Sequence, residues 1–109
     1  MYAIANGSVI LPDRIATNLA VLVDRGKIVD IVDAGSIPAD ANLIDANQNY
    51  ISPGLVDIHI HGAEGANFND GTFESLTTIA QACANRGITT ILATTATASL
   101  EELLNALAT

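Results

Sequence analysis

The sequence predicts an α/β chain in which a small β-sheet, residues 1–52, precedes two consecutive βα units, residues 53–109. Three observations carry this. Up to residue 52, short apolar runs alternate with turn residues at intervals too brief for helices. Beyond it, two apolar runs, 55–60 and 88–93, are each followed by apolar residues at three- and four-residue spacing, the period of a helix with one buried face. The second helical stretch opens on Ser99 with Glu102 three positions later, which is a capping box.

Each element follows from local chemistry. Residues 2–11 are strand-forming but interrupted at Asn6-Gly7, a turn or bulge signal. Residues 19–23 and 28–32 are joined by Asp24-Arg25-Gly26-Lys27, a hairpin whose glycine takes the left-handed conformation. Strands through Leu43 and Ile44 and near Tyr50 and Ile51 complete a small sheet. The run 55–60 is apolar apart from Asp57 and His59, as expected of a strand buried on both faces of a parallel sheet. Thr72 is a candidate N-cap for a helix over 73–86 closed by Gly87, with Cys83 on its apolar face beside Ile79 and Ala80. Leu100, Leu103, Leu104 and Leu107 mark the apolar face of the second helix.

Composition excludes several classes of function. Twelve acids against four bases give a formal charge of −8, which argues against a nucleic-acid partner and leaves no polybasic segment for anionic membranes. A single cysteine rules out an intramolecular disulfide and suits a reducing compartment, so Cys83 reads as a small core residue. The N-terminus lacks a signal peptide's basic start, and no stretch approaches the roughly 18 apolar residues of a membrane span, so a cytoplasmic location is expected. The chain stops in an apolar helical pattern without a glycine or proline, which predicts truncation of a longer protein.

The chemistry concentrates in Pro53-Gly54-Leu55-Val56-Asp57-Ile58-His59-Ile60-His61-Gly62, which holds both histidines of the chain. Side chains alternate along a strand, so 57, 59 and 61 share a face and the two imidazoles lie side by side. Such a pair suits a divalent metal, although a lone His-x-His also occurs on exposed strands with no ligand. Asp57 is a candidate to orient a ligand imidazole, or simply an acid packed beneath the site. Glu64 and Asp70 are the ionisable groups of a loop expected over residues 62–70, where Asp70 also suits a turn before the helix. Thr94 and Thr95 end the second strand, where their hydroxyls could face a pocket or serve only the strand.

The Pro-Gly-x-x-Asp-x-His-x-His-Gly string resembles the metal-binding first barrel strand of the amidohydrolase superfamily. With residues 61–70 and the stretch Arg86-Gly87-Ile88-Thr89-Thr90-Ile91-Leu92-Ala93-Thr94-Thr95-Ala96-Thr97, it looks like the N-acetylglucosamine-6-phosphate deacetylase family. The resemblance implies the start of a TIM-like (β/α)8 barrel, its first two βα units, with residues 1–52 forming part of a β-sandwich. It implies His59 and His61 as ligands of a divalent metal, zinc foremost with iron or manganese as alternatives. The implied substrate is a small sugar phosphate, and the full-length protein is expected to be a homo-oligomer.

The family's remaining ligands and its proton-moving aspartate match no position here. This chain is therefore expected to hold no complete catalytic set and, alone, to be inactive. Another amidohydrolase, dihydroorotase-like or acting on N-acyl amino acids, shares Asp57-x-His59-x-His61. A dihydroorotase-like chain would carry an arginine soon after the pair, and the next one here is Arg86. A non-catalytic βα binding module is the alternative from a different class.

Overall fold

A computed structural model describes all 109 residues. It is an α/β structure of several small sheets and two helices, and it divides into two compact units, Met1–Pro53 and Gly54–Thr109. No helix is long and apolar enough to cross a membrane.

The first unit contains β1 (Tyr2–Ala5), β2 (Ser8–Ile10), β3 (Ile15–Ala16), β4 (Leu19–Asp24), β5 (Lys27–Asp33), β6 (Asn42–Asp45) and β7 (Tyr50–Ile51). The expected single sheet is in fact two, ordered β5-β4-β1-β6 and β3-β2-β7. The cause lies at two neighbouring crossings. Asn6 adopts φ 57 and turns the chain from β1 out of the first sheet into β2, and residues 46–49 carry β6 into β7 in the same way. Because β1 pairs with β6 and β2 with β7, both in parallel, the crossings lie side by side. Gly7 is needed there, since a Cβ would sit 2.5 Å from the Asn49 carbonyl oxygen and 2.8 Å from the Ala46 Cβ. The Asp45 carboxylate fixes the second crossing by accepting from the Asn47 amide at 2.8 Å and from the Asn6 side chain at 2.7 Å. Those two bonds, the Asn47 amide first, hold its carboxyl below the usual carboxylate range.

The core of this unit is Val9, Val21 and Ile51, with Ile4, Leu19 and Val23 packed against it. Fully burying an aliphatic side chain of this size stabilises by about 1.5–3 kcal/mol. The β4–β5 hairpin turns on Arg25 (φ 48) and Gly26 (φ 75). The glycine is left-handed, as its place in the turn predicts. The arginine joins it because a two-residue turn that matches strand twist needs positive φ at both positions.

The second unit contains β8 (Leu55–Ile60), β9 (Gly62–Ala63), β10 (Ala66–Asn67), a 3-10 turn at Phe68–Asp70, α1 (Phe73–Ala84), β11 (Ile88–Ala93) and α2 (Leu100–Ala108). β8 and β11 pair in parallel, with α1 in the connection between them. Four expectations are corrected. Residues 62–70 are a tight β9–β10 hairpin followed by the 3-10 turn rather than an open loop. The hairpin reverses at Glu64 (φ 52) and Gly65 (φ 82), a turn that a sequence lacking β-branched residues did not advertise.

The first helix ends at Ala84, two residues early, and Gly87 (φ 76) lies beyond its cap at Asn85. Its buried face is Ile79, Ala82 and Cys83, whereas Ala80 is exposed. One residue along a helix turns about 100°, which carries Ala80 away from Ile79 while 82 and 83 flank it. Cys83 packs with Phe68 and Ile79 as a core residue. Thr72 caps α1 by accepting from the Ser75 amide at 3.2 Å, and Ser99 and Glu102 form the anticipated capping box on α2. The last correction concerns β8, which is not buried on both faces: Leu55, Val56 and Ile58 are 60–73% exposed, with β11 its one neighbour.

Candidate metal centre

β8 delivers the two histidines at its C-terminal end, where the chain leaves the sheet. The His59 and His61 rings stand edge to face with centroids 5.1 Å apart, and their Nε2 atoms are separated by 3.2 Å. Both residues are exposed. His61 Nδ1 lies 3.0 Å from the Thr94 carbonyl oxygen, at the end of β11. A carbonyl can only accept, so Nδ1 carries the proton and the neutral ring presents its lone pair at Nε2. Two arrangements satisfy that lone pair: His59 donates an Nε2–H to it, or both Nε2 lone pairs converge on one cation. Two nitrogens each 2.0–2.1 Å from a common ion, at a tetrahedral angle, lie about 3.3 Å apart. The observed separation fits that donor set. No cluster of three or more His, Cys, Asp or Glu side chains able to hold a metal occurs in the chain.

The surrounding residues fall into distinct roles. Asp57 Oδ1 accepts from the His59 amide at 3.0 Å, so its bond is to the backbone of the histidine and not to either ring. The ring partner is the Thr94 carbonyl, and the Thr94 hydroxyl is turned back to the Leu92 carbonyl at 3.0 Å. Sequence reasoning weighs the hydroxyl and misses the carbonyl, because every residue carries one. Thr94 is itself held by its amide, which donates to the Ile60 carbonyl at 3.0 Å.

Asn69, also missed, closes a two-bond clamp across the loops that follow the two strands. Its side-chain oxygen accepts from the Ala96 amide at 2.8 Å and its side-chain nitrogen donates to the Ala96 carbonyl at 3.1 Å. The signal was an Asn 27 positions away from its partner, which no local pattern reveals.

Glu64 and Asp70 are not brought to the histidines. The hairpin places Glu64 on Arg86, with 2.9 Å between Oε1 and Nη2. Both side chains are more than half exposed, a kind of pair worth roughly 0–1 kcal/mol. Asp70 accepts from the Asn67 amide and the Ser75 hydroxyl, each at 2.8 Å, and these bonds lower its carboxyl's pKa. It works as a cap, in keeping with its reading as a turn residue.

No protein-family model matches the sequence. Among curated relatives, the N-acetylglucosamine-6-phosphate deacetylase of Vibrio furnissii is 33% identical over 88 residues, covering 81% of this chain and 22% of that protein. A dihydroorotase of Streptococcus thermophilus is 41% identical over 96 residues, covering 84% and 21% respectively. The chain thus spans about a fifth of the length of these curated relatives. The crystal structure of N-acetylglucosamine-6-phosphate deacetylase from Pasteurella multocida superposes with a TM-score of 0.90 at 26% identity, over 98% of this chain and 28% of that one. The corresponding Mycobacterium smegmatis structure gives 0.81 at 25% identity, over 98% and 30%. By sequence and by structure, this chain's relatives are N-acetylglucosamine-6-phosphate deacetylases, with dihydroorotases and other amidohydrolases matching as well.

Proposed function

We propose that this chain is the N-terminal part of a metal-dependent amide hydrolase that converts N-acetylglucosamine 6-phosphate to glucosamine 6-phosphate and acetate. In this reading β8 and β11 begin a (β/α)8 barrel, whose catalytic groups stand at the C-terminal ends of its strands. Residues 1–52 contribute to a β-sandwich. The observation that carries the reading is the approach of His59 Nε2 to His61 Nε2, with the His61 proton held on Nδ1 by Thr94.

His59 and His61 would hold the ion, zinc foremost with iron or manganese as alternatives. A divalent ion in such a site would polarise a carbonyl and lower the pKa of a bound water to roughly 7. The chain's own contribution is positional. β8 sets two nitrogens toward one point, Thr94 fixes the tautomer that leaves one of them free, and the Asn69–Ala96 clamp joins the loops beside them. The net reaction breaks the acetamido C–N bond, adds the oxygen of water to the acyl carbon and leaves the proton on the departing amine. The remaining ligands and the proton carrier would come from further elements of the same protein.

The structural likeness to the deacetylases favours the sugar phosphate. A second reading, a cyclic-amide hydrolase of the dihydroorotase kind, is favoured by the 41% identity to that relative. The test uses the longest form that the gene encodes, with acetate release from N-acetylglucosamine 6-phosphate measured beside hydrolysis of dihydroorotate. Turnover of the sugar phosphate is expected, together with loss of metal and of rate in the His59→Ala, His61→Ala double variant. Turnover of dihydroorotate alone would move the assignment to the second reading, and unchanged metal content and rate in the double variant would remove the histidines from the site.

A further inference from the structure

We infer that Asp57 is a positioning residue, whose carboxylate bonds the His59 amide and sets the one-residue shift in β8 that restores the register of Leu55 with Ile88 and so brings His61 level with Thr94. This rests on the metal-site reading above and adds the element that builds it.

The ladder between β8 and β11 supplies the observation. It carries two opposite irregularities. Leu55 is level with Ile88 but Val56 with Thr90, so β11 first gains a residue. Asp57 is level with Ile91 and Ile60 with Ala93, so three residues of β8 then advance against two of β11 and the register of Leu55 with Ile88 is restored. Two residues, Ile58 and His59, therefore occupy the space of one. Extra residues of this kind bend a strand and re-aim its side chains. Had the register continued unshifted from Asp57, Ile60 would face Thr94 and His61 would face Thr95. With the shift, His61 comes level with Thr94, whose carbonyl takes its Nδ1–H.

The shift begins at the residue whose side chain supplies a local alternative to the ladder. Asp57 Oδ1 accepts from the amide two positions on, at 3.0 Å, which is the bond of an Asx turn. That bond needs an acceptor oxygen on a short side chain and does not need a negative charge. Asparagine supplies the same oxygen, and alanine supplies none.

The test compares Asp57→Asn and Asp57→Ala in the longest form that the gene encodes. Zinc affinity is measured by competition with a chromogenic chelator, and the cobalt-substituted protein gives the visible d–d spectrum as a readout of geometry. Asp57→Asn is expected to keep zinc affinity within about threefold and to leave the cobalt spectrum unchanged. Asp57→Ala is expected to weaken zinc by about 10–100-fold, the range for losing a residue that orients a ligand, and to alter the spectrum. An asparagine variant as impaired as the alanine variant would overturn the proposal in favour of a role for the charge, and so would an alanine variant with parental affinity and spectrum. Should the alanine variant fail to fold, the asparagine result alone decides, because a folded protein with weakened zinc would contradict the geometric role. The His59→Ala, His61→Ala protein separates the two failures: if it binds zinc as the parent does, the metal-site reading falls, whatever Asp57 does.

Discussion

Asp45 in the first unit and Asp57 in the second make the same bond, each accepting through Oδ1 from the backbone amide two residues on, at 2.8 and 3.0 Å. The outcomes differ because the neighbouring residues differ. After Asp45 come Asn47 (φ 49) and Gln48 (φ 62), both left-handed, and the strand ends as the chain crosses to another sheet. After Asp57 come Ile58, His59 and Ile60, none with positive φ, and the strand continues with its register shifted by one, back to that of Leu55 with Ile88. An aspartate bond to the amide two positions on is thus a perturbation whose size is decided by its neighbours. Residues that tolerate the left-handed region turn it into a strand end, whereas β-branched neighbours, which resist that region, confine it to a shift. In one unit the result is architecture, and in the other it arranges the side chains of a candidate site.

The strongest perturbation of this contrast comes from blocking the first unit's crossing. Gly7→Ala places a methyl against the Asn49 carbonyl and the Ala46 Cβ, neither of which is the free end of a flexible side chain. A loss of about 1–3 kcal/mol is expected, the usual cost of overpacking, read from urea unfolding. Gly35→Ala, whose added methyl meets nothing within 4 Å, serves as the control and should change stability far less. Equal effects from the two would show that the crossing is not the tight point described.

A smaller effect separates the charge of Asp45 from its geometry. Its carboxyl titrates below the ordinary aspartate value, chiefly through the Asn47 amide and then the Asn6 side chain. A depressed folded pKa contributes stability that is present above the unfolded value and lost as pH falls through the folded one. Urea midpoints followed downward through about pH 4 should therefore decline less in Asp45→Asn than in the parent. Identical pH profiles would remove Asp45 from the acid-sensitive groups.

Much of the scaffold was legible because its signals are local. The Asn6-Gly7 break, the Arg25-Gly26 hairpin, the Thr72 cap and the Ser99–Glu102 box each depend on residues within a single turn of one another. The His59–His61 adjacency was legible for the same reason, since it comes from strand geometry. What escaped was non-local or independent of residue type. The Thr94 carbonyl is chemically the same at every position, the Asn69–Ala96 clamp joins residues 27 apart, and the division of residues 1–52 into two sheets depends on which strands pair across the crossings. The register shift at Asp57 escaped because strict alternation predicts the same side-by-side histidines without it.

Whether His59 and His61 present a shared divalent-metal site can be read from the imidazole nitrogens themselves. Long-range proton–nitrogen correlation spectra of the protein in its longest encoded form, recorded without metal and during zinc titration, report protonation and ligation at each ring nitrogen. His61 is expected to carry its proton on Nδ1 before zinc is added, and zinc is expected to shift Nε2 of both histidines together at one equivalent while His61 Nδ1 stays protonated. A His61 proton on Nε2 in the metal-free protein, or zinc binding that leaves both Nε2 resonances in place, would contradict the shared site.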